Sequence, residues 1–447
     1  MLSDKIVKLN QKKFCEIYRN GTLQYIFTQS LKLFTIICVL AISICIPEFT
    51  FAQSDKLYKS IRDFGVDPEN NAKENSKFLQ EAINWAALRG AALFVESSEQ
   101  PYPMEGGILL KQNVSLVGVH GPVGRGTRHP QKVQPVGSVF QIEDDKNVFI
   151  TVEGATQIRG IQFWYPKQTI SEPEKIIAYP PTIQVSQTKP VYGVTLSCLT
   201  FYGEYIAMDF NSNLKYPCEQ ILFEHCYGYP LSGEFIRIDL CYDIPRILHC
   251  HVNPANRRYI EGQYSPAIVD TVIASKTFAY TINRTDNAQV IDVFSFGTFG
   301  GIYLGAATYG QLTNFNFDCV TVGIHKCGDN AKNRNWQISQ GSIIANTGEA
   351  VQYIHPIIIE GQGHTALTNV EAFSGANAAL TTLNKSYDFL LVRGAEKLSV
   401  SLYGCRMRNY QADNAITIEN PNAIIQATDC IDKNEIPFNL HLNPNSH

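Results

Sequence analysis

The chain reads as an all-β parallel solenoid, a β-helix of stacked rungs closed at its start by one helix. Three observations predict it. One amphipathic helix stands near the start and is followed by about 330 residues of short strands, with no second convincing amphipathic helix between Gly107 and Leu440. The strands recur at roughly one rung length, the repeat signature of a solenoid. One pair of rungs overlays directly: Gly300-Gly301-Ile302 and Val322-Gly323-Ile324 lie 22 residues apart.

The helix is expected from about Ser76 to Leu88. Ser76 is placed to cap it, and Phe78, Leu79, Ala82, Ile83 and Ala86 recur at helical spacing. Gly90 follows the last turn, where a left-handed residue is easiest. The next apolar runs, Ala91–Val95, Ile108–Leu110 and Asn113–Gly118, are too short for helices and rich in Val, Leu and Phe, so they read as strands. With Asp63-Phe64-Gly65-Val66 ahead of the helix, this stretch resembles the opening motif of the pectate-lyase-3, or rhamnogalacturonase/epimerase-like, superfamily. That group is pectate-lyase-like and related to glycoside hydrolase family 28. The resemblance spans about sixty residues and implies a single-stranded right-handed parallel β-helix, pectin-lyase-like, with an N-terminal capping helix. The chain departs from the pattern at Asp67-Pro68-Glu69-Asn70-Asn71, at Gly90-Ala91-Ala92 and from Glu96 to Tyr102. The fold inference survives these departures; a named enzyme family does not follow from it.

Strands continue through Val148–Val152, Gly193–Leu196, Gln220–Phe223, Phe235–Ile238, Arg246–Leu248, Val290–Val293, Gly301–Leu304, Val322–Ile324, Ile357–Ile359, Leu398–Val400 and Ala415–Ile418. The 22-residue offset puts Asp292 over Asn314 and Phe296 over Asp318. Rungs rising about 4.8 Å give a solenoid of roughly 13 to 15 turns, on the order of 60 to 70 Å long. Such a surface suits a linear polymer. Pro-rich, charged stretches at Pro122–Pro135, Tyr165–Pro190 and Asn253–Pro266 read as lateral loops walling a groove. The chain therefore divides into residues 1–52, an opening strand and capping helix at 53–106, the β-helix at 107–440 and a tail at 441–447.

Residues 1–52 hold a basic-leaning stretch and an apolar run, Leu33–Ile46, preceded by Lys32. The run is short for a membrane span and suits a signal-peptide core, with Thr50-Phe51-Ala52 as the cleavage motif. A secreted, periplasmic or cell-surface protein is expected. The rival is an uncleaved N-terminal anchor, the one membrane contact foreseen. The 447-residue chain is 17% charged and 45% hydrophobic, an ordered composition. Its net charge of -4 gives no sign of a nucleic-acid partner. Nine of twelve cysteines follow Ala52, with no zinc spacing; Cys198, Cys226, Cys250, Cys405 and Cys430 read as buried thiols on successive rungs.

A second resemblance, to a central block of secreted proteins of the same superfamily, rests on Gly233–Asp239, Asp243-Ile244-Pro245-Arg246-Ile247, His249, His251-Val252-Asn253-Pro254, Arg284-Thr285-Asp286 and Asn316-Phe317-Asp318. It implies that these acids line a shared face. Glycosidic hydrolysis needs two carboxylates, about 5 Å apart for retention or roughly 6.5 to 9.5 Å for inversion. Neighbouring rungs supply such spacings. Asp286 and Asp318, one rung plus a loop apart, rank first as the catalytic pair; Asp239 and Asp243 rank second. Against this, Asp at a strand end often only caps a turn. Arg284 and Arg246 would hold substrate carboxylates or hydroxyls. His249 and His251 have strand spacing and read as groove or turn residues rather than metal ligands. Tyr303, Trp336 and Tyr280 would stack on sugars, although at least one of them is expected in the core. His364 reads as part of a Gly-rich turn.

The expected partner is a polysaccharide and the expected activity glycoside hydrolysis, with no cofactor and no metal. Uronate elimination or epimerisation stands second. There Arg or Lys acts as base, with Lys326, Arg334, Arg257 and Arg258 as candidates (Lys326 more simply on a solvated turn), and Ca2+ possible in a lyase. A non-catalytic glycan-binding or structural β-helix is the rival from another class. No P-loop, dinucleotide fingerprint, GxSxG or HExxH occurs.

Overall fold

The computed structural model describes residues 58–119, 134–211, 215–254, 266–328, 335–345, 355–374, 388–408, 415–432, 434–438 and 440–442. The leader and anchor readings, Arg257, Arg258, Arg334 and most of Pro122–Pro135 lie outside them. Residues from Leu57 onward form one compact unit.

The described strands join in one sheet of 33 whose inter-strand pairings are parallel. They wind as three ladders. Ladder 1 climbs from Tyr58–Ser60 through Ala92–Val95 and Ser115–Gly118 to Leu398–Tyr403 and Ala423–Thr428. Ladder 2 begins at Tyr102–Met104 on Val139–Ile142. Ladder 3 begins at Ile108–Leu110 on Ile150–Val152. The stack thus starts at Tyr58, well before residue 107. Gly300 pairs Val322, and Phe296 pairs Asp318, as the 22-residue offset requires. Ile183–Val185, inside the stretch read as an insertion, is itself a rung of ladder 3.

Helix α1 runs Ala72–Ala87. Its N-cap is Asn71, whose side chain accepts from the Glu74 N–H, so Ser76 is not the cap. Ser76 instead faces the first rung: its Oγ donates to the Glu105 carbonyl (3.1 Å) and accepts from the Glu105 N–H (2.8 Å). Gln80 does the same for Leu109, and Asn75 donates to the Pro103 carbonyl. These polar groups satisfy backbone that an uncovered first rung would offer to another chain. A second helix, α2, spans Pro266–Ala274, contrary to the helix-free reading. Its composition is apolar almost throughout, so it lacks the two-faced pattern that marks a helix in sequence.

Inside, Phe163 stacks on Phe201 at 5.1 Å, and Phe201 meets Phe235 edge-on at 5.7 Å. Trp336 and Tyr280 are fully buried here. The Trp336 indole N–H donates to the Thr308 carbonyl at 3.2 Å, so both are core residues and neither stacks on sugar. Cys226, Cys250, Cys405 and Cys430 are buried free thiols, and Cys218 pairs Cys241 in register.

The passage from ladder 1 to ladder 2 is made by one left-handed residue per rung. Cys198, His225, His249, Asp292, Asn314, Gln340, Asn369 and Asp429 have φ between 50° and 55°. The His249 N–H donates to Ile291 and the Asp292 N–H to Thr313, so the corner keeps its rung-to-rung bonds. Asn, Asp and His tolerate this conformation best among non-glycine residues. Exposed Gln340 carries the strain without that benefit. Gln340→Gly is expected to raise stability by about 0.5–1 kcal/mol, whereas Gln337→Gly, in the adjoining strand, lowers it by a similar amount. Urea titration of both variants checks the contrast.

Candidate functional site

Side chains alternate in and out along each strand, so a parallel ladder lines up its outward residues in vertical rows. On ladder 3 one outward row reads Asp209, Arg237, Thr281, Tyr303, His325, Ile358. The next row holds Asp239 and Asn283, and higher up Cys327 and Glu360. Connections from ladder 2 to ladder 3 carry insertions that flank this face. One contains the turn Pro173–Lys175, another contains α2, and the two touch.

The lower part of the face is a knot of three carboxylates and two guanidiniums. Arg237 contacts Asp209 and Glu234 through its two terminal nitrogens, each at 3.1 Å. Arg284 grips both oxygens of Asp239. Asp209 and Asp239 lie on adjacent strands, two residues out of register, which sets their Cα atoms about 8 Å apart. Glu234 is the most exposed of the three acids, its side chain 20% accessible against 6% for Asp209 and 10% for Asp239.

Higher on the same face, His325 meets Glu360 at 2.6 Å and Arg393 meets it at 2.7 Å. These partners, against the opposing cost of burial, hold the Glu360 carboxyl down at about 2. Tyr303 packs edge-on to His325 at 5.2 Å. Lys326 is only 2% exposed, so it does not sit on a solvated turn. Its ammonium donates to the carbonyls of Glu360 (3.2 Å) and Gln362 (2.6 Å), and burial pulls it down to about 8.

The structure brings Asp239, Arg284 and Tyr303 onto one face and disperses the other expected site residues. Asp286 sits at the corner between ladders 3 and 1, accepting from the Tyr309 hydroxyl. Asp318 sits on ladder 2 between Phe296 and Ile344, where burial raises its pKa. No rung stacks these two acids together. Asp243 is a left-handed corner residue bound by Gln220. Arg246 lies on ladder 1, beside Leu222 and Gln289. His249 occupies the ladder 1 to ladder 2 corner, on Asp292 at 2.8 Å, while His251 stacks on Phe294 within ladder 2. The left-handed turn breaks the strand alternation, so these histidines do not share a strand face. Asp209 and Glu234 were missed. The signal was present in the 28-residue match of Ile206–Asn211 to Glu234–Asp239.

Glu204 stands at the corner preceding the Asp209 strand. It is fully buried over Gly228 and Phe235, and neither carboxyl oxygen makes a good hydrogen bond among the described residues. Burial pushes it up to about 8.

No family model matches the chain, and no curated protein is similar to it in sequence. Solved structures are. DFA-IIIase from Arthrobacter chlorophenolicus A6 superposes with a TM-score of 0.53 at 9% identity, over 84% of this chain and 94% of that one. A mutant of the same enzyme in complex with DFA-III gives 0.53 at 10% identity, over 84% and 87%. The tailspike protein of E. coli bacteriophage HK620, a double mutant in complex with a pentasaccharide, gives 0.51 at 10% identity, over 84% and 67%. The fold is a right-handed parallel β-helix. At these identities the likeness is one of fold.

Two titrations test the electrostatics. Glu204 keeps its proton to about pH 8 when folded but releases it near 4.5 when unfolded, so stability falls as pH rises between these values. Glu204→Gln is expected to flatten that slope in urea unfolding across the range. Glu360 acts oppositely. Its stabilisation is complete above 4.5 and is lost as pH falls through about 2. The stability gap between wild type and Glu360→Gln should close over that interval in thermal melts.

Proposed function

We propose that this protein is a carbohydrate-active β-helix, a glycoside hydrolase that lays a polysaccharide along the outer face of ladder 3. The single observation that carries the reading is the group Asp209, Glu234 and Asp239, three carboxylates on two adjacent rungs beside two arginines. Asp209 and Glu234 converge on Arg237, so two carboxylates share one face, as glycosidic hydrolysis requires. Arg237 and Arg284 hold Asp209 and Asp239 in place, and Asp209 is the general base in this reading. Glu234, the most exposed, is the proton donor in this reading. Tyr303 offers a ring edge higher on the face, and the α2 and Pro173–Lys175 insertions wall one side. The pentasaccharide held by the tailspike protein, and the enzyme name and DFA-III complex of the other similar structure, support a saccharide-directed role.

One observation favours a second reading. Each of the three acids is engaged by an arginine, and such saturated pairs suit glycan binding without turnover. Elimination is the weaker alternative, because Lys326 is buried against two carbonyls and cannot meet substrate as a base.

A polysaccharide panel read by new reducing ends and by ultraviolet absorbance separates the three. Hydrolysis predicts reducing ends without absorbance, a loss of about 10²-fold or more in kcat for Glu234→Gln and Asp209→Asn, and little change for Asp286→Asn. Binding without turnover in the wild type favours the second reading. New absorbance moves the assignment to a lyase.

A further inference from the structure

The residue that follows each left-handed ladder 1 corner points into the core. Cys226 and Cys250 hold this position on two successive rungs, and Cys405 and Cys430 hold it on the last two described. Register fixes both stackings. The pairs Glu224–Leu248 and Tyr227–His251 bracket Cys226 and Cys250, and the pairs Tyr403–Thr428 and Arg406–Ile431 bracket Cys405 and Cys430. Cys218 and Cys241 are register partners in their own right. All six are buried free thiols. Coils about 4.8 Å apart lie within the roughly 4.4–6.8 Å Cα separation that a disulfide spans.

We infer that Cys405 and Cys430 form an oxidation site of the folded protein, closed into a disulfide by a small-molecule disulfide. This goes beyond the carbohydrate reading and does not rest on it. The Cys430 thiolate attacks one sulfur of the oxidant and releases its first thiolate. Cys405, losing its proton, then attacks Cys430 Sγ and releases the second. Two protein thiols are oxidised to one disulfide, and one small disulfide is reduced to two thiols.

Spacing admits all three pairs; position selects this one. Cys250 is covered by a further rung, whose Phe294 N–H donates to its carbonyl. Strand Ala423–Thr428, just before Cys430, pairs on one side with Leu398–Tyr403, and no ladder 1 strand covers its other side among the described residues. What lies over Cys430 is a short return segment, where Ile431 bridges Pro437 and the Phe438 N–H donates to the Cys430 carbonyl at 3.0 Å. Ile436 in that segment is exposed. A solenoid opens at its outer coils at less cost than in mid-stack, so an oxidant reaches Cys430 without global unfolding.

The charge state agrees. The neighbouring Cys405 thiol draws Cys430 below the ordinary thiol range, while Cys430 and burial push Cys405 above it. In mid-stack, burial and Cys250 push Cys226 up, and Cys218 and burial push Cys241 up. The thiolate is the attacking species, so those pairs are slow to react.

The test incubates the reduced, folded full chain with oxidised glutathione, quenches by alkylation and maps unreduced peptides by mass spectrometry. The Cys405–Cys430 cross-link is expected to form at least about tenfold faster than Cys226–Cys250 or Cys218–Cys241. Cys405→Ser should trap glutathione on Cys430, whereas Cys430→Ser should leave Cys405 unmodified. Oxidised wild type should melt above the reduced form, and Cys405→Ser should lose that gap. Cys405 and Cys430 staying reduced in folded protein, all three pairs closing at one rate, or an unchanged melt overturns the inference. Hydrolysis that depends on Glu234 is untouched by any of these results, so the two readings fail separately.

Discussion

Rung-to-rung backbone hydrogen bonding is the constraint on which the rest of the molecule depends. Each strand donates to and accepts from the coils on both sides, so coils sit about 4.8 Å apart and residues become vertical neighbours in strict register. Everything chemical here follows from that spacing. Arg237 reaches Asp209 because Asp209 is its register partner, and Arg284 reaches back from the next rung to Asp239. A corner residue in the left-handed conformation preserves the bonding while turning the chain, which is why the same backbone geometry recurs from Cys198 to Asp429.

The same register explains how buried polar groups are distributed. A solenoid needs its interior rows apolar or self-satisfied, and the Phe163–Phe201–Phe235 stack and the free thiols meet that need. Two exceptions lie on or beside ladder 3. Glu204 is buried without good partners, and Lys326 is buried on two carbonyls. Glu204 sits at the corner before the Asp209 strand, whereas Lys326 lies within a ladder 3 strand, paired with Leu304 and Ile359. Local rule-breaking of this kind is expected near functional surfaces.

The face of ladder 3 and a cavity of about 490 Å3 at the start of ladder 1 are adjacent in the chain. Glu360 ends the outward row, and Gln362 and His364 line the cavity two and four residues later. His364 thus begins a strand, rather than lying within a Gly-rich turn. Lys326 and the Glu360–Arg393–His325 cluster tie the two together.

How much of this was legible in the sequence follows from how local each feature is. Strand alternation, rung length and the 22-residue overlay are local patterns, so the solenoid, its capping helix and the pairing of Phe296 with Asp318 were readable. Ser76 stands close to the apolar run and so reads as the cap, and only packing showed that it serves the Glu105 backbone while Asn71 caps the helix. The face on which an acid emerges is not local. Asp286 and Asp318 are a plausible rung apart in number, yet corner residue Asn287 and the turn at Asp292 lie between them and carry the chain onto a different ladder. Sequence by itself determined that coils stack and at what period, because alternation and hydrogen bonding act between near neighbours. Only the tertiary structure decided which side chains meet, because one left-handed residue redirects every side chain after it and no periodicity counts those turns.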